Sequence, residues 1–221
     1  MKFKPNYFNT QDARLSYITR KNGKKFKIRE NKLRFFFPDE WMAFYDTLKP
    51  KQKITFNFLV NTGARISEVS NVKVQDIDFD RKSIIFKFTK SRNKDGTRKI
   101  RVIGISSQFA KALRKIISDN DLKLEDNFPI HSIPAANIAL HKALDKIKIK
   151  DKENISVHSV RKTLIVWLMA LGVDSLKIAK HHGHTLAVLE KYYVSPDTFS
   201  FEDKQMMRQV IGDLYQHHES Y

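Results

Sequence analysis

The sequence predicts an α+β fold: a mainly helical domain carrying one small antiparallel β-sheet or hairpin. Three observations lead there. Apolar residues recur at the helical period in most segments beyond residue 37. Two runs rich in Ile, Phe and Val flank a turn signal at Asn93–Gly96, which reads as a hairpin. Hydrophobic residues make up 41% of 221, enough for a real core in one large domain or two small ones.

Charge narrows the partner. Lys and Arg number 41 against 24 Asp and Glu, a net +17, which suits a polyanion and most simply nucleic acid. A basic ribosome-associated protein, or a lysine bias of the whole proteome, is the plainer alternative. There is no Cys, so disulfides and thiolate metal sites are excluded. No apolar run reaches the roughly 18 to 20 residues that span a bilayer. The start MKFKPNYFNT lacks an apolar signal core. These features predict a cytoplasmic, nucleoid-associated protein.

In chain order, residues 1–34 are polar and basic, with Asn22-Gly23 as a turn across which Leu15–Thr19 can pair as a hairpin. They read as a DNA-contacting arm or as a solvated linker. Pro38 and Asp39 open a helix to residue 48 whose apolar face is Trp41, Phe44, Tyr45 and Leu48. A second helix runs from about Gln52 to Asn61 and stops at Gly63. A short helix from Ile66 to Asn71 then carries Glu68 three positions after Arg65. An Arg just past a glycine turn and braced by a carboxylate is placed to clamp a phosphate. The same spacing also makes an ordinary surface ion pair.

Asp76, Asp78 and Asp80 alternate, but a calcium loop needs Gly sixth and an acid twelfth, where Arg81 and Lys87 stand. They read as the loop before a strand. Ser83–Thr89 and Arg98–Ile105 read as strands, the second with Ile100 and Val102 on one face. Lys90, Arg92, Lys94, Arg98 and Lys99 decorate this hairpin, as charged edges that resist aggregation also do. Ser106-Ser107 introduces an amphipathic helix with Phe109, Ala112, Leu113, Ile116 and Ile117 inward. After Pro129 and Pro134, a helix spans about Ala135–Ile147; His131 and His141 read as structural. Ser195-Pro196 breaks the chain before a last helix from about Glu202 to His217.

The stretch His158–Tyr193 holds the densest chemistry. Val157, Val160, Leu164, Trp167, Leu168 and Leu171 keep the helical period, and Gly172 supplies a cap. His158 and Arg161, three apart, share a face at the helix start, where anions are favoured. His184 follows Arg161 by 23 positions, and Tyr193 follows His184 by nine.

This ordered set, His158-x-x-Arg161, Gly183-His184 and Tyr193, joined to the upstream segment TGARISEVSNV at residues 62–72, resembles the tyrosine recombinase, or phage-integrase, family. The resemblance covers roughly residues 35–200. It implies the family's catalytic fold and a site-specific recombinase or integrase that cuts and rejoins DNA through a 3′-phosphotyrosyl intermediate, without metal, ATP or other cofactor. In that reading Tyr193 attacks, while Arg65 and Arg161 neutralise the non-bridging oxygens with forked donors. His158 accepts or relays the tyrosine proton and His184 donates to a phosphate oxygen. Lys90, with Lys94 in reserve, protonates the leaving oxygen, Glu68 supports the arginine side, and Arg92, Lys94, Arg98 and Lys99 bind DNA. The implied partner is double-stranded DNA bearing a recombination site, met by a monomer that becomes tetrameric on it. The source would be a prokaryotic host or a virus, with no membrane involved.

The implied layout is a basic arm at 1–34, a catalytic domain at 35–200, and a C-terminal helix at 201–221 that packs on its own core or is exchanged between protomers. Two departures stand out. His182, preceded by His181, occupies a position that is usually apolar in the family; a His181, His182, His184 metal cluster is disfavoured because neighbours on a turn rarely converge. No helical domain precedes residue 62, so the chain reads as a short form or a catalytic fragment. A type IB-like topoisomerase and a DNA-binding relative without catalysis are the alternatives, and a structural RNA-binding protein explains only the charge. Tyr192 points about 100° from Tyr193 on a helix and takes a packing or backbone-contact role.

The basic excess carries a direct expectation. Each phosphate neutralised releases counterions, so the logarithm of duplex affinity should fall linearly with that of salt, with a slope of about 0.9 per phosphate. Fluorescence anisotropy of a labelled duplex across salt concentrations checks this; a flat response contradicts it.

Overall fold

A computed structural model describes residues 17–19, 25–27, 34–89, 93, 95–192 and 199–216. The anticipated N-terminal hairpin is present: β1 (Tyr17–Thr19) pairs antiparallel with β2 (Lys25–Lys27), Ile18 opposite Phe26. The expected basic arm otherwise lies outside the described residues.

The core begins before the first predicted helix. Phe35, Phe36 and Phe37 are extended and buried. Thr163 accepts the Phe36 amide at 2.9 Å, and Trp167 donates to the Phe36 carbonyl at 3.0 Å. Arg34 grips Glu40 with two bonds, of 2.7 and 3.0 Å, both side chains buried, and Glu40 accepts the Phe37 amide. That carboxylate sits in the first turn of α1 (Pro38–Asp46), where the helix dipole favours it. Trp41 and Phe44 of α1 then meet Phe36, Phe56 and Trp167 edge to face or tilted, at 5.0–6.3 Å.

Helix α2 (Pro50–Thr62) stops at Gly63, and α3 (Ile66–Val69) follows as a single turn. The aspartates differ from expectation. Ile77–Asp78 is a third strand, β3, pairing antiparallel with β4 (Ser83–Phe86), which pairs in turn with β5 (Arg101–Gly104). Asp76 is buried, accepts the Lys73 amide at 3.0 Å and pairs with Lys87. On β5 the Ile100–Val102 face points outward, those two side chains being 66% and 60% exposed. Ile103 and Arg101 take the inner side, opposite Ile84 and Phe86.

Three helices complete the frame: α4 (Ser107–Asp119), α5 (Ile133–Ile147) and α6 (Val157–Ala170). Helix α6 is buried on nearly every side, its polar Ser159, Arg161, Lys162 and Thr163 included. It packs most heavily against α2 and also against α5, α7 (Ser175–His182) and α9 (Phe201–Ile211). Helix α8 (Leu186–Tyr192) carries the chain onward. The last helix is shorter than predicted. It ends at Ile211 because Gly212 turns the chain at φ 62°, where a side chain would strike Gln108. Asp213 then accepts the amide and hydroxyl of Ser107, both at 2.6 Å, at the start of α4. Met207, Ile211 and Leu214 are buried on the chain's own core. No described helix is long and apolar enough to cross a membrane.

Lys162 on α6 is buried, its ammonium 5.7 Å from the Phe35 ring centroid, and burial lowers its pKa from 10.5 to about 7. The unfolded chain keeps that proton up to the ordinary value. Stability therefore rises with pH between the two values and is lost as pH falls through the lower one. Thermal unfolding at stepped pH should show the wild type gaining on Lys162→Met from about pH 7 to 10. Parallel curves contradict the assignment.

Candidate active site

Two helix ends face each other across the site. Helix α2 ends at Thr62 with Gly63 left-handed at φ 56°, and α7 ends at His182 with Gly183 left-handed at φ 65°. Gly63 is required twice over: a Cβ there would lie 2.1 Å from Cε1 of His182. The last carbonyls of a helix lack partners within it. Here side chains supply them. Arg161 donates through Nη1 to the Gly63 carbonyl at 2.6 Å and through Nη2 to that of His182. Arg101 donates to the His181 carbonyl at 3.2 Å, and His181 Nε2 to that of Thr62 at 2.9 Å. Cations at helix C-termini are also favoured by the dipole.

Beyond Gly63 the chain turns into α3, with Arg65 at its start. Glu68 accepts the Arg65 amide at 3.0 Å and its guanidinium at 2.9 Å, and takes Arg101 at 2.6 Å. A buried carboxylate is thus held between two guanidinium groups. Burial alone would raise the Glu68 pKa, but Arg101, together with the amide and guanidinium of Arg65, holds it below the usual carboxylate range.

An open cleft of about 320 Å³ lies between α3 and the start of α6, lined by Arg65, Ser67, Asn137, Ser156, His158 and Arg161. A second, of about 230 Å³, adjoins it and is lined by Arg65, Glu68, Thr89, Lys99, Arg101 and Lys180. Arg65 forms part of both walls, its side chain one-third exposed (34%). His158 stands at the surface in the first turn of α6, where its amide bonds Ser156 Oγ. Loss of water lowers its pKa, helped by the charges of Arg161, Arg65 and Lys162. His184 Nε2 lies 3.0 Å from Arg161 Nη2. Arginine only donates, so Nε2 accepts and the neutral ring carries its proton on Nδ1. Desolvation, then Arg161 and Arg65, lower the His184 pKa to about 4. Both rings are neutral near pH 7.

Arg65, Glu68, His158, Arg161 and His184 therefore converge, although they come from distant stretches of the chain. Arg161, which lines the first cleft, also closes two helix ends: Nη1 donates to one backbone carbonyl, and Nη2 to another and to His184. Lys99 lines the second cleft, and Arg98 lies over the Phe88 ring at 5.6 Å. Lys90, Arg92, Lys94 and Tyr193 lie outside the described residues; Tyr192 is the last residue of α8. The three histidine rings pack in a row, with centroids 4.7 and 6.2 Å apart, but the ring nitrogens of His181 face Tyr215 and Thr62. His182 is buried, with neither ring nitrogen hydrogen-bonded. Among the described residues, no group of three or more His, Asp or Glu is placed to hold a metal. Arg101 was missed. Its signal was the strand alternation, which puts it two positions before inward Ile103.

Residues 34–198 match the family model described as the phage integrase family. Comparison with curated proteins gave no match. Among solved structures the chain is similar to the Tn1549 transposon integrase in complex with a circular-intermediate DNA. That match has 17% identity and a TM-score of 0.58, over 80% of this chain and 65% of that one. It is also similar to the XerA recombinase (17%, 0.56, over 80% and 64%) and to the catalytic domain of the bacteriophage HP1 integrase (19%, 0.50, over 72% and 86%). The chain spans a little under two thirds of the first two. These likenesses show the fold: a mostly helical domain with a small three-stranded antiparallel sheet.

Removing Arg101 leaves the Glu68 carboxylate buried beside a single guanidinium. Arg101→Met should destabilise the protein by about 3 kcal/mol in urea unfolding. Glu68→Gln in the same chain should restore part of that loss, because the uncompensated charge is gone. Strictly additive losses would show that the pair is not coupled.

Proposed function

The chain belongs to the phage integrase family, and on that premise we propose that it is the catalytic domain of a tyrosine recombinase, cutting and rejoining DNA strands through a phosphotyrosyl link. The observation that carries the reading is the convergence of Arg65, Arg161, His158 and His184 around one cleft. Tyr193 lies nine positions beyond His184, inside the matched segment.

Tyr193 attacks the phosphorus, and the 5′ oxygen leaves with a proton from Lys90. Arg65, one-third exposed, meets the non-bridging oxygens as the negative charge builds. Arg161, tied to two carbonyls, contributes a fixed positive charge that needs no rearrangement during the reaction. His158 is neutral near pH 7 and accepts the tyrosine proton. His184 donates to a phosphate oxygen; its Nε2 is held by Arg161 and its Nδ1 is buried with no partner among the described residues, so this step needs the ring to turn towards the cleft. Guanidinium groups neutralise the developing charge in place of a metal ion, and the energy of the cut bond stays in the tyrosyl ester. Lys99, Arg98, Arg92 and Lys94 bind the backbone of the duplex beside the cut. The partner is double-stranded DNA with a recombination site, bound by a protein that is monomeric when free and tetrameric in the recombining complex. The similar Tn1549 integrase was solved in complex with a circular intermediate DNA, and another similar structure, the XerH site-specific recombinase, bound to difH substrate, which supports a DNA partner here.

A nicked suicide duplex in EDTA-containing buffer tests the proposal. Wild-type protein should form a covalent adduct that survives denaturing gels and maps by peptide sequencing to Tyr193. Tyr193→Phe should lose the adduct with duplex affinity unchanged, because only a hydroxyl is removed, whereas Tyr192→Phe should retain it. No adduct from the wild type, or a strict requirement for added magnesium, overturns the mechanism.

A further inference from the structure

His181 is buried, has no place in the proposed chemistry, and carries both of its ring hydrogen bonds to parts of the chain far apart in sequence. Its Nε2 lies 2.9 Å from the Thr62 carbonyl, and its Nδ1 lies 2.6 Å from the Tyr215 hydroxyl. A carbonyl only accepts, so Nε2 carries the hydrogen. The neutral ring then has one acceptor, Nδ1, and the Tyr215 hydroxyl must donate to it. Burial keeps the ring neutral, lowering its pKa to about 3. The direction of every proton in this relay is therefore determined.

The far end of the relay is built to stay in place. Tyr215 follows the turn at Gly212, where Arg208 binds the carbonyls of Gly212 and Leu214 at 3.1 and 2.9 Å and Asp213 caps α4. Tyr215 itself adopts φ 59°, an uncommon conformation for a residue with a side chain. Its ring meets the His181 ring edge to face, with centroids 5.5 Å apart. The near end of the relay is the site. Gly63, the residue after Thr62, gives its carbonyl to Arg161, and Arg65 is two residues further on. The carbonyls of His181 and His182 hold Arg101 and Arg161.

We infer that Tyr215 is a positioning residue for the arginine clamp: its hydroxyl satisfies Nδ1 of His181 and fixes that ring, which holds the end of α2 and thereby the carbonyl that seats Arg161. This rests on the recombinase reading above. Without the hydroxyl, Nδ1 is a buried acceptor lacking its donor; the Thr62 carbonyl still keeps the hydrogen on Nε2, but the ring is then held at one end only. The Thr62 carbonyl is then intermittently released, and the Gly63–Arg65 turn loses its fixed register against α7.

Single-turnover cleavage of the nicked suicide duplex at saturating protein tests this, alongside duplex affinity and histidine ¹⁵N spectra. Tyr215→Phe keeps the ring contact and loses only the donor. Its cleavage rate should fall about tenfold, the scale of effect that a slightly displaced catalytic group has, with affinity unchanged. His181 should keep its Nε2–H pattern, with the Nδ1 resonance shifted by the loss of its hydrogen bond. His181→Leu should slow cleavage similarly, and adding Tyr215→Phe to it should cost nothing more. A Tyr215→Phe protein that cleaves at the wild-type rate overturns the inference and leaves the recombinase reading standing. So does one that loses only affinity. A wild-type protein that forms no adduct overturns both.

Discussion

The site depends on one buried guanidinium. Arg161 ties the Gly63 carbonyl at the end of α2 to the His182 carbonyl at the end of α7, and touches His184 as well. Two helix C-termini aimed at each other would repel through their dipoles and leave several carbonyls without donors. A buried cation between them removes both problems. The same contacts place Arg65, two residues after Gly63, and His184, two residues after His182, on opposite sides of that cation. One side chain thus serves as structural staple and as the positive floor of the cleft.

The surrounding electrostatics follow from that choice. With Arg65, Arg101 and Arg161 close together, a negative charge is needed, and buried Glu68 supplies it between Arg65 and Arg101. One carboxylate against three guanidinium groups leaves the cleft positive, which suits a phosphate. The same positive field, added to burial, keeps His158 and His184 neutral. Neutral imidazoles can both accept and donate, as an acid–base role in phosphoryl transfer requires. His182 fits less well: it is buried among these groups with neither ring nitrogen hydrogen-bonded. Its ring lies where a Cβ on Gly63 would be, so its shape matters to the turn.

Much of this was legible before any coordinates. The helical periods located most helices, though not α7, whose last residues His181 and His182 read as a turn; Gly63 marked the end of α2, and Asn93–Gly96 marked the hairpin turn. The spacing of Arg65, His158, Arg161, His184 and Tyr193 pointed to the family now matched over residues 34–198. Local chemistry was sufficient there because caps, turns and periodicity act over a few residues. Where the reading failed, distant residues decided. Phe35–Phe37 carries no helical or strand signal of its own, and Thr163 and Trp167 supply the hydrogen bonds of Phe36. Ile77–Asp78 becomes a strand only because β4 lies beside it. Ile100 and Val102 mark a strand face correctly, yet nothing local says that the face looks outward.

By itself, then, the sequence determined the α+β class, the family, and the identity of the residues that converge, since each is carried by order and spacing along the chain. Only the tertiary structure decided what those residues do for one another. It put Arg101 on Glu68, tied Arg161 to two carbonyls, assigned the His184 proton to Nδ1, and joined Tyr215 to Thr62 through His181. Hydrogen bonds between groups as many as 131 positions apart leave no local pattern, because their partners are chosen by packing of helices rather than by neighbours in the chain.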